Sequence, residues 1–310
     1  MYRAQNLGGF VGFAIGIACL VAFGLVAHPG TARAEPLIGV TTTNVLETFD
    51  SATPGTINTS VGVTGLQAGE TILGIDMRPA TGALYGLGST SRLYTINRTT
   101  GAATQVGSAG AFTLSGTAFG VDFNPTVDRI RVISNTGQSL RLNPNDGTLS
   151  ATDTALNYAA GDANAGATPR AVGAAYTNNF GGATTTTLYD IDSNLDILVM
   201  QGSANGTPIS PNTGQLFTVG ALGFNTSDLV GFDVSSSSGI AFASLTSPAG
   251  NFSQLFTINL NTGAASLVGS IGGVPLTSLA AVPEPGSLGL GIAALAIGVA
   301  AIARRSRAAR

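Results

Sequence analysis

The stretch "LYTINRTTGAATQVGS" at residues 93–108 returns, nearly letter for letter, as "LFTINLNTGAASLVGS" at residues 255–270. Such recurrence restricts the fold to one small unit built several times, each copy burying its apolar face against the next. Neighbouring phrases fall into the same register. "GIDMRP" at 74–79 is answered by "GVDFNP" at 120–125, by a weaker "GAAYTN" at 173–178 and by "GFDVSS" at 231–236. A second extended stretch follows each of these, at 83–88, 129–134, 187–192 and 240–245. A third lies at 93–97, 140–143, 197–202 and 255–259, and a fourth at 103–108, 149–158, 216–221 and 266–271. "NRTTG", "NPNDG" and "NLNTG" mark turns between them, with Gly or Asn where positive φ is needed.

These stretches are short and alternate apolar with small or polar residues, which is the period of a strand. Counted from Gly74, Gly120, Gly173 and Gly231, the four-strand unit returns after 46, 53 and 58 residues, as β-propeller blades do. A solenoid or a duplicated sandwich is the competing architecture, and the ends of the repeat decide between them. Residues 37–64 carry only three matching stretches, so the first unit lacks its opening strand. "LTSLAAV" at 276–282 is an opening strand with no unit behind it. Joining the two completes a first blade and removes two free edges. The expected fold is therefore all-β, a five-bladed propeller over residues 35–282 closed by a C-terminal strand. Over roughly residues 37–280, "LYGLG…LYTIN", "GVDFNP" and "AAYTNN" followed by "TTLYDID" resemble a bacterial domain-of-unknown-function family of secreted, propeller-like proteins. That resemblance implies the same fold and no particular activity.

The two ends of the chain read as addresses. Arg3, an uncharged stretch at 7–27 and the small residues of Ala32-Arg33-Ala34 describe a secretory signal peptide, a helix over residues 1–34 cut after Ala34. A permanent N-terminal anchor is the alternative. At the other end, residues 283–310, the uncharged run Gly286–Ala303 is 18 residues long. As a helix it measures about 27 Å, near the lower limit for a transmembrane span. Arg304, Arg305, Arg307 and Arg310 follow and hold that end in the cytoplasm. Pro283-Glu284-Pro285, an apolar helix and an arginine-rich end together resemble the PEP-CTERM sorting signal of Gram-negative bacteria. The resemblance implies signal peptidase and exosortase as partners during export, a transient inner-membrane stage, and delivery to the cell surface or medium. A plain tail anchor is the alternative.

Composition narrows the chemistry. Removing the leader removes Cys19 and His28, the only cysteine and histidine, and the chain has no lysine. Ser-His-Asp triads, cysteine nucleophiles, Schiff-base lysines and His-ligated metals are thereby excluded from the mature domain. Residues 35–282 hold 15 acids against 7 arginines, a net charge of −8 with no basic cluster, which argues against nucleic acid as a partner. Carboxylate chemistry survives, but glutamate is confined to Glu35, Glu47 and Glu70. Asp76, Asp122 and Asp233 recur at one position of three opening strands. They read either as an acidic collar for a cation or, more simply, as acceptors that pin neighbouring blades through backbone N–H bonds.

Asp190, Asp192, Asn194 and Asp196 occupy alternate positions, but Leu195 and Gln201 stand where an EF-hand needs Gly and Glu. The simpler expectation is an exposed turn, with a loose Ca²⁺ site as the one cofactor left open. Long insertions at 159–171 and 179–187 mark a binding face, with Asp162 and Arg170 on a rim shared with that turn. The reading that results is a non-catalytic extracellular binding or structural module, with a polysaccharide or matrix protein as its partner. Two alternatives stay open: a carboxylate-based hydrolase, which needs two acids in one pocket, and a Ca²⁺-dependent adhesin.

Overall fold

A computed structural model describes residues 34–283. The first blade holds β1 (Pro36–Thr41), β2 (Val45–Asp50) and β3 (Ile57–Gly62). The second runs β4 (Ile72–Met77), β5 (Leu84–Gly88), β6 (Arg92–Ile96) and β7 (Ala103–Val106), and the third β8 (Phe119–Asn124), β9 (Arg129–Ser134), β10 (Ser139–Leu142) and β11 (Leu149–Thr152). After the short β12 (Asn157–Tyr158) come β13 (Ala171–Tyr176), β14 (Leu188–Asp192), β15 (Ile197–Gln201) and β16 (Gln215–Ala221) of the fourth blade. The fifth is β17 (Val230–Val234), β18 (Ala241–Leu245), β19 (Gln254–Ile258) and β20 (Ala265–Ser270), and β21 (Leu276–Ala281) ends the described chain.

Five sheets result, antiparallel apart from the short β12, and β21 takes the inner place of the first, in the order β21-β1-β2-β3. Leu37 lies opposite Ala281 and Gly39 opposite Leu279, so the last strand completes the blade that the first strand begins. Around the axis the inner strands follow one another as β21, β4, β8, β13, β17 and back to β21.

Packing follows from the two-residue period of a strand. In β1, Leu37 joins an apolar cluster with Phe242, Leu255 and Leu279, while Ile38 and Val40 join another with Ile75, Tyr94 and Ala280. Alternate side chains thus face the preceding and the following blade. Three further clusters fill the other seams, between blades two and three, three and four, and four and five. Strands caught between two neighbours are buried throughout, as in β5 and β13, whereas β3 on the outside is half exposed to exposed.

Near the axis the blades approach too closely for side chains. A Cβ on Gly120 would stand 2.7 Å from the backbone nitrogen of Ala174 and 2.8 Å from the carbonyl carbon of Gly173, both in the next blade. Of its counterparts, a Cβ on Gly231 would meet the backbone nitrogen of Leu279 at 2.3 Å and one on Gly74 the side chain of Val121 at 2.4 Å.

The stretch 149–158 does not form one strand. It breaks after Thr152, and Asn157–Tyr158 crosses to the fourth blade, where it pairs in parallel with Gln215–Leu216 of β16. At the break Asp153 is held by two arginines of the third blade, Arg131 and Arg141. Among the described residues no helix is long and apolar enough to cross a membrane. The signal helix expected before Ala34 and the transmembrane helix expected at 286–303 lie outside the described residues.

Gly120→Ala should cost about 1–3 kcal/mol through overpacking against backbone that cannot step aside, read as a fall of several degrees in the thermal unfolding midpoint of the full chain. Gly62→Ala, where nothing lies within 4 Å of an added Cβ, should leave the midpoint unchanged. Equal midpoints for the two variants would contradict the packing described.

Candidate functional site: an axial aspartate cluster and an interblade cleft

One residue per blade faces its neighbours at the axis, two positions after the close-packed glycine or, in β21, after Ser278. These residues are Asp76, Asp122, Ala175, Asp233 and Ala280. Each aspartate accepts the backbone N–H one residue further along the next inner strand. Phe123 donates to Asp76 Oδ2 at 2.7 Å, Tyr176 to Asp122 Oδ1 at 3.1 Å, and Ala281 to Asp233 Oδ2 at 2.7 Å. Where the preceding blade carries alanine, the aspartate turns its other oxygen on its own neighbour. Met77 and Val234 donate to Asp76 Oδ1 and Asp233 Oδ1, each at 2.6 Å. Three carboxylates therefore satisfy all five equivalent amides, which explains how two positions can be alanine. The pinning role expected from the repeat is thus the one the hydrogen bonds describe.

Asp122 Oδ2 is buried without a hydrogen-bond partner, and so is Asn179 Oδ1, although Asn179 Nδ2 reaches Asp233 Oδ1 at 3.1 Å. Asp76, Asp122 and Asp233 are each at most 1% exposed and offer oxygens within 4.8 Å of one another. Burial pushes all three carboxyls above the usual aspartate range, Asp233 to about 7, and the charge of Asp233 on Asp76, and of both on Asp122, adds to the rise. Three full negative charges do not coexist there unaided.

The Asp190–Asp196 series is not an exposed oxygen-rich turn. Asp190 and Asp192 lie on β14 and are fully buried, and only the residues after them form the turn. The oxygens of Asp192 are taken by the Tyr158 hydroxyl at 2.7 Å and by the amides of Arg170, Asn194 and Leu195 at 2.9–3.1 Å. Asp196 Oδ1 accepts from the Thr226 amide at 2.9 Å, and Asn194 is exposed. These side chains do not converge on one point. Among the described residues, the acids close enough to share an ion are the axial three.

The rim is assembled in part. Arg170, Ser193, Asn194 and Asp196 border one shallow depression together with Asp228. Asp228, which sequence reasoning missed, joins three blades: Arg170 Nε and Ser193 Oγ reach it at 2.7 Å and Asn135 Nδ2 at 3.3 Å. Asp162 does not line that depression, because its carboxylate holds the backbone amide and hydroxyl of Thr218 on β16, both at 2.7 Å. Of the address residues, Ala34 is exposed at the start of the described chain and Pro283 stands at its end. Glu284, Pro285, Arg304 and Arg305 lie outside the described residues.

The more enclosed depression opens on the opposite face, between blades three and four. It has a volume of about 220 Å³ and is lined by the hydroxyls and amides of Thr126, Thr184, Thr185, Ser210 and Asn212 together with apolar Val127, Leu188 and Pro211, with the Arg141 guanidinium beside them. Beneath it Arg131, 1% exposed, is paired with Asp153, donates to Asn212 Oδ1 at 2.6 Å and to Ser139 Oγ at 3.0 Å, and lies 3.4 Å from the Tyr176 hydroxyl. Asp190 borders this network with neither oxygen hydrogen-bonded. Burial, reinforced by Asp192, pushes its carboxyl well above the ordinary range, and the charge of Arg131 opposes the rise only in part.

A raised folded-state pKa means that the folded chain holds a proton the unfolded chain has released. Stability from Asp190 is complete below the unfolded value of ~4 and is lost as the pH rises towards the folded one. Asp190→Asn removes that slope. The unfolding midpoint of Asp190→Asn relative to the unaltered chain should therefore be higher at pH 8 than at pH 5, and a flat or opposite difference would refute the assignment.

No curated protein matches the chain. Solved structures with distant likeness include hydrazine synthase of Kuenenia stuttgartiensis at 12% identity, with 67% of this chain and 52% of that chain covered and a TM-score of 0.38. The chain thus spans about half the length of that protein. Glutaminyl cyclase of Myxococcus xanthus follows at 14% identity, 73% and 83% coverage and a TM-score of 0.42. The dihydro-heme d1 dehydrogenase NirN in complex with DHE follows at 14% identity, 78% and 44% coverage and a TM-score of 0.36. At these scores the likenesses carry no argument about chemistry. A family model matches residues 45–280, nearly the whole propeller, and the chain accordingly belongs to the family described as Domain of unknown function (DUF4394).

Proposed function

We propose that this protein is an exported binding module, sorted to the cell surface, whose propeller offers the cleft between blades three and four to a neutral, hydroxyl-rich ligand, an extracellular polysaccharide. The observation that carries the reading is the lining of the cleft. Threonine, serine and asparagine supply donors and acceptors at an opening of about 220 Å³, room for a sugar unit, and Arg141 adds a planar fork of donors. Arg141 is itself held in place by two hydrogen bonds of 2.8 Å to Asp153, so the group is pre-oriented.

Among the described residues, the one cluster of three acids close enough to share an ion lies at the axis, each at most 1% exposed. They offer no open seat for a glycosidic bond, which weighs against a two-acid hydrolase. The oxygens of Asp192 and Asp196 are spent within the protein, which weighs against an adhesin built on that turn.

Thr184 is exposed and lines the cleft, so Thr184→Tyr fills the opening without touching the interblade core. Retardation of the protein in gels containing host exopolysaccharide should be lost in this variant while its unfolding midpoint stays unchanged. Binding that survives Thr184→Tyr would remove the cleft from consideration. Export is checked separately: the N-terminus of the protein recovered from the host should be Glu35, and a retained residue 1–34 segment would refute the leader.

A further inference from the structure

We infer that the axial carboxylates of Asp76, Asp122 and Asp233, completed by the amide oxygen of Asn179, form a Ca²⁺ site at the centre of the ring. The donors are all oxygen, the set that hard divalent cations take. One oxygen from each of the three carboxylates lies within 4.8 Å of the other two. Three atoms with no separation above 4.8 Å share a point no more than about 2.8 Å from each, and a slight contraction brings an ion placed there to the ~2.3–2.6 Å of Ca²⁺ ligation. Mg²⁺ requires closer, more regular contacts, and these carboxylates are held apart by their bonds to amides of successive blades.

Two further observations point to a ligand. Asp122, fully buried, receives no N–H or hydroxyl at Oδ2 although every equivalent amide around the ring is already satisfied; the group beside it is the Asp233 carboxyl, so either a shared proton or a cation must lie between the two. Asn179 is 6% exposed and its Oδ1 is likewise without a partner. Its amide reaches the cluster, with Nδ2 3.1 Å from Asp233 Oδ1. A half-turn of that amide, which exchanges nitrogen for oxygen at nearly equal bulk, directs Oδ1 at the same place. Asn179 follows β13, the inner strand of blade four, whose axial residue is Ala175. The insertion after that strand thus brings in the oxygen that the alanine lacks. No lysine exists to neutralise the trio, and the only histidine is His28.

The test uses the full chain purified in detergent. Its calcium content is measured by elemental analysis, the metal is then removed with chelator, and CaCl₂ is added back while thermal unfolding is followed. Ca²⁺ in the range of about 0.1–1 mM, typical of extracellular modules, should raise the midpoint by several degrees. Asp122→Asn should abolish the rise, since its amide oxygen still accepts the Tyr176 N–H while the free carboxylate oxygen is gone. Asp196→Asn, on the opposite rim, should retain the rise in full. If Asp122→Asn fails to fold, Asn179→Ala provides the same reading, with a weaker Ca²⁺ response expected. The proposal is overturned by protein that contains no calcium and shows no Ca²⁺-dependent midpoint, by a response to Mg²⁺ alone, or by a response that Asp196→Asn removes and Asp122→Asn keeps.

Discussion

The ring stands on a single pairing, that of β1 with β21. Five sheets arranged about an axis bury their faces against one another only if the circle is complete; otherwise two faces and two edges meet water. Leu37 opposite Ala281 and Gly39 opposite Leu279 supply that closure. The apolar cluster of Leu37, Phe49, Phe242, Leu255 and Leu279 is the seam that the pairing makes possible. Because the other four seams are built the same way, the loss of this one opens one of the five seams and frees the spacing of the remaining blades.

Closure also dictates what happens at the axis. Inner strands drawn together leave no room for side chains at Gly74, Gly120 and Gly231, and they bring amides to a place that water hardly reaches. Three aspartates satisfy five such amides by using both oxygens where the preceding blade has none to offer. Pinning the blades and concentrating negative charge are thus one arrangement, because the carboxylates that serve the backbone are forced within 4.8 Å of one another. The cleft proposed for ligand binding lies away from this centre, between blades three and four.

Much of the fold was legible because it is repeated. Period-two strands, Gly and Asn at turns, and an opening strand displaced to the end of the chain are local patterns, and they led to blade number, strand order and closure. The axial aspartates were legible for the same reason, since repetition at one structural position signals packing. What could not be read depends on contacts made once. Arg131 in "RIRVIS" looks like a solvent-facing residue, yet it is buried because Asp153, Tyr176 and Asn212, separated from it by 22, 45 and 81 residues, converge on it. Asp228 has no counterpart in other blades, and its partner Arg170 lies 58 residues away. The alternation at Asp190–Asp196 misleads because strand and turn share it: β14 runs to Asp192, so the first two acids point into a seam.

The antiparallel sense of the closing pair governs how this ring would yield under load. Pro36 and Val282 lie at the same end of it, joined by a 2.9 Å hydrogen bond from the Val282 amide to the Pro36 carbonyl. Tension drawn between the two ends of the propeller therefore falls on one ladder rung at a time, as on a zipper, instead of on all rungs together as in shear. Val282 to Pro36 parts first, then Ala281 from Leu37, and the amide held by Asp233 is withdrawn as β21 peels from its blade. A tethered copy of this domain would thus open at its clasp under modest pull while the other four blades were still folded.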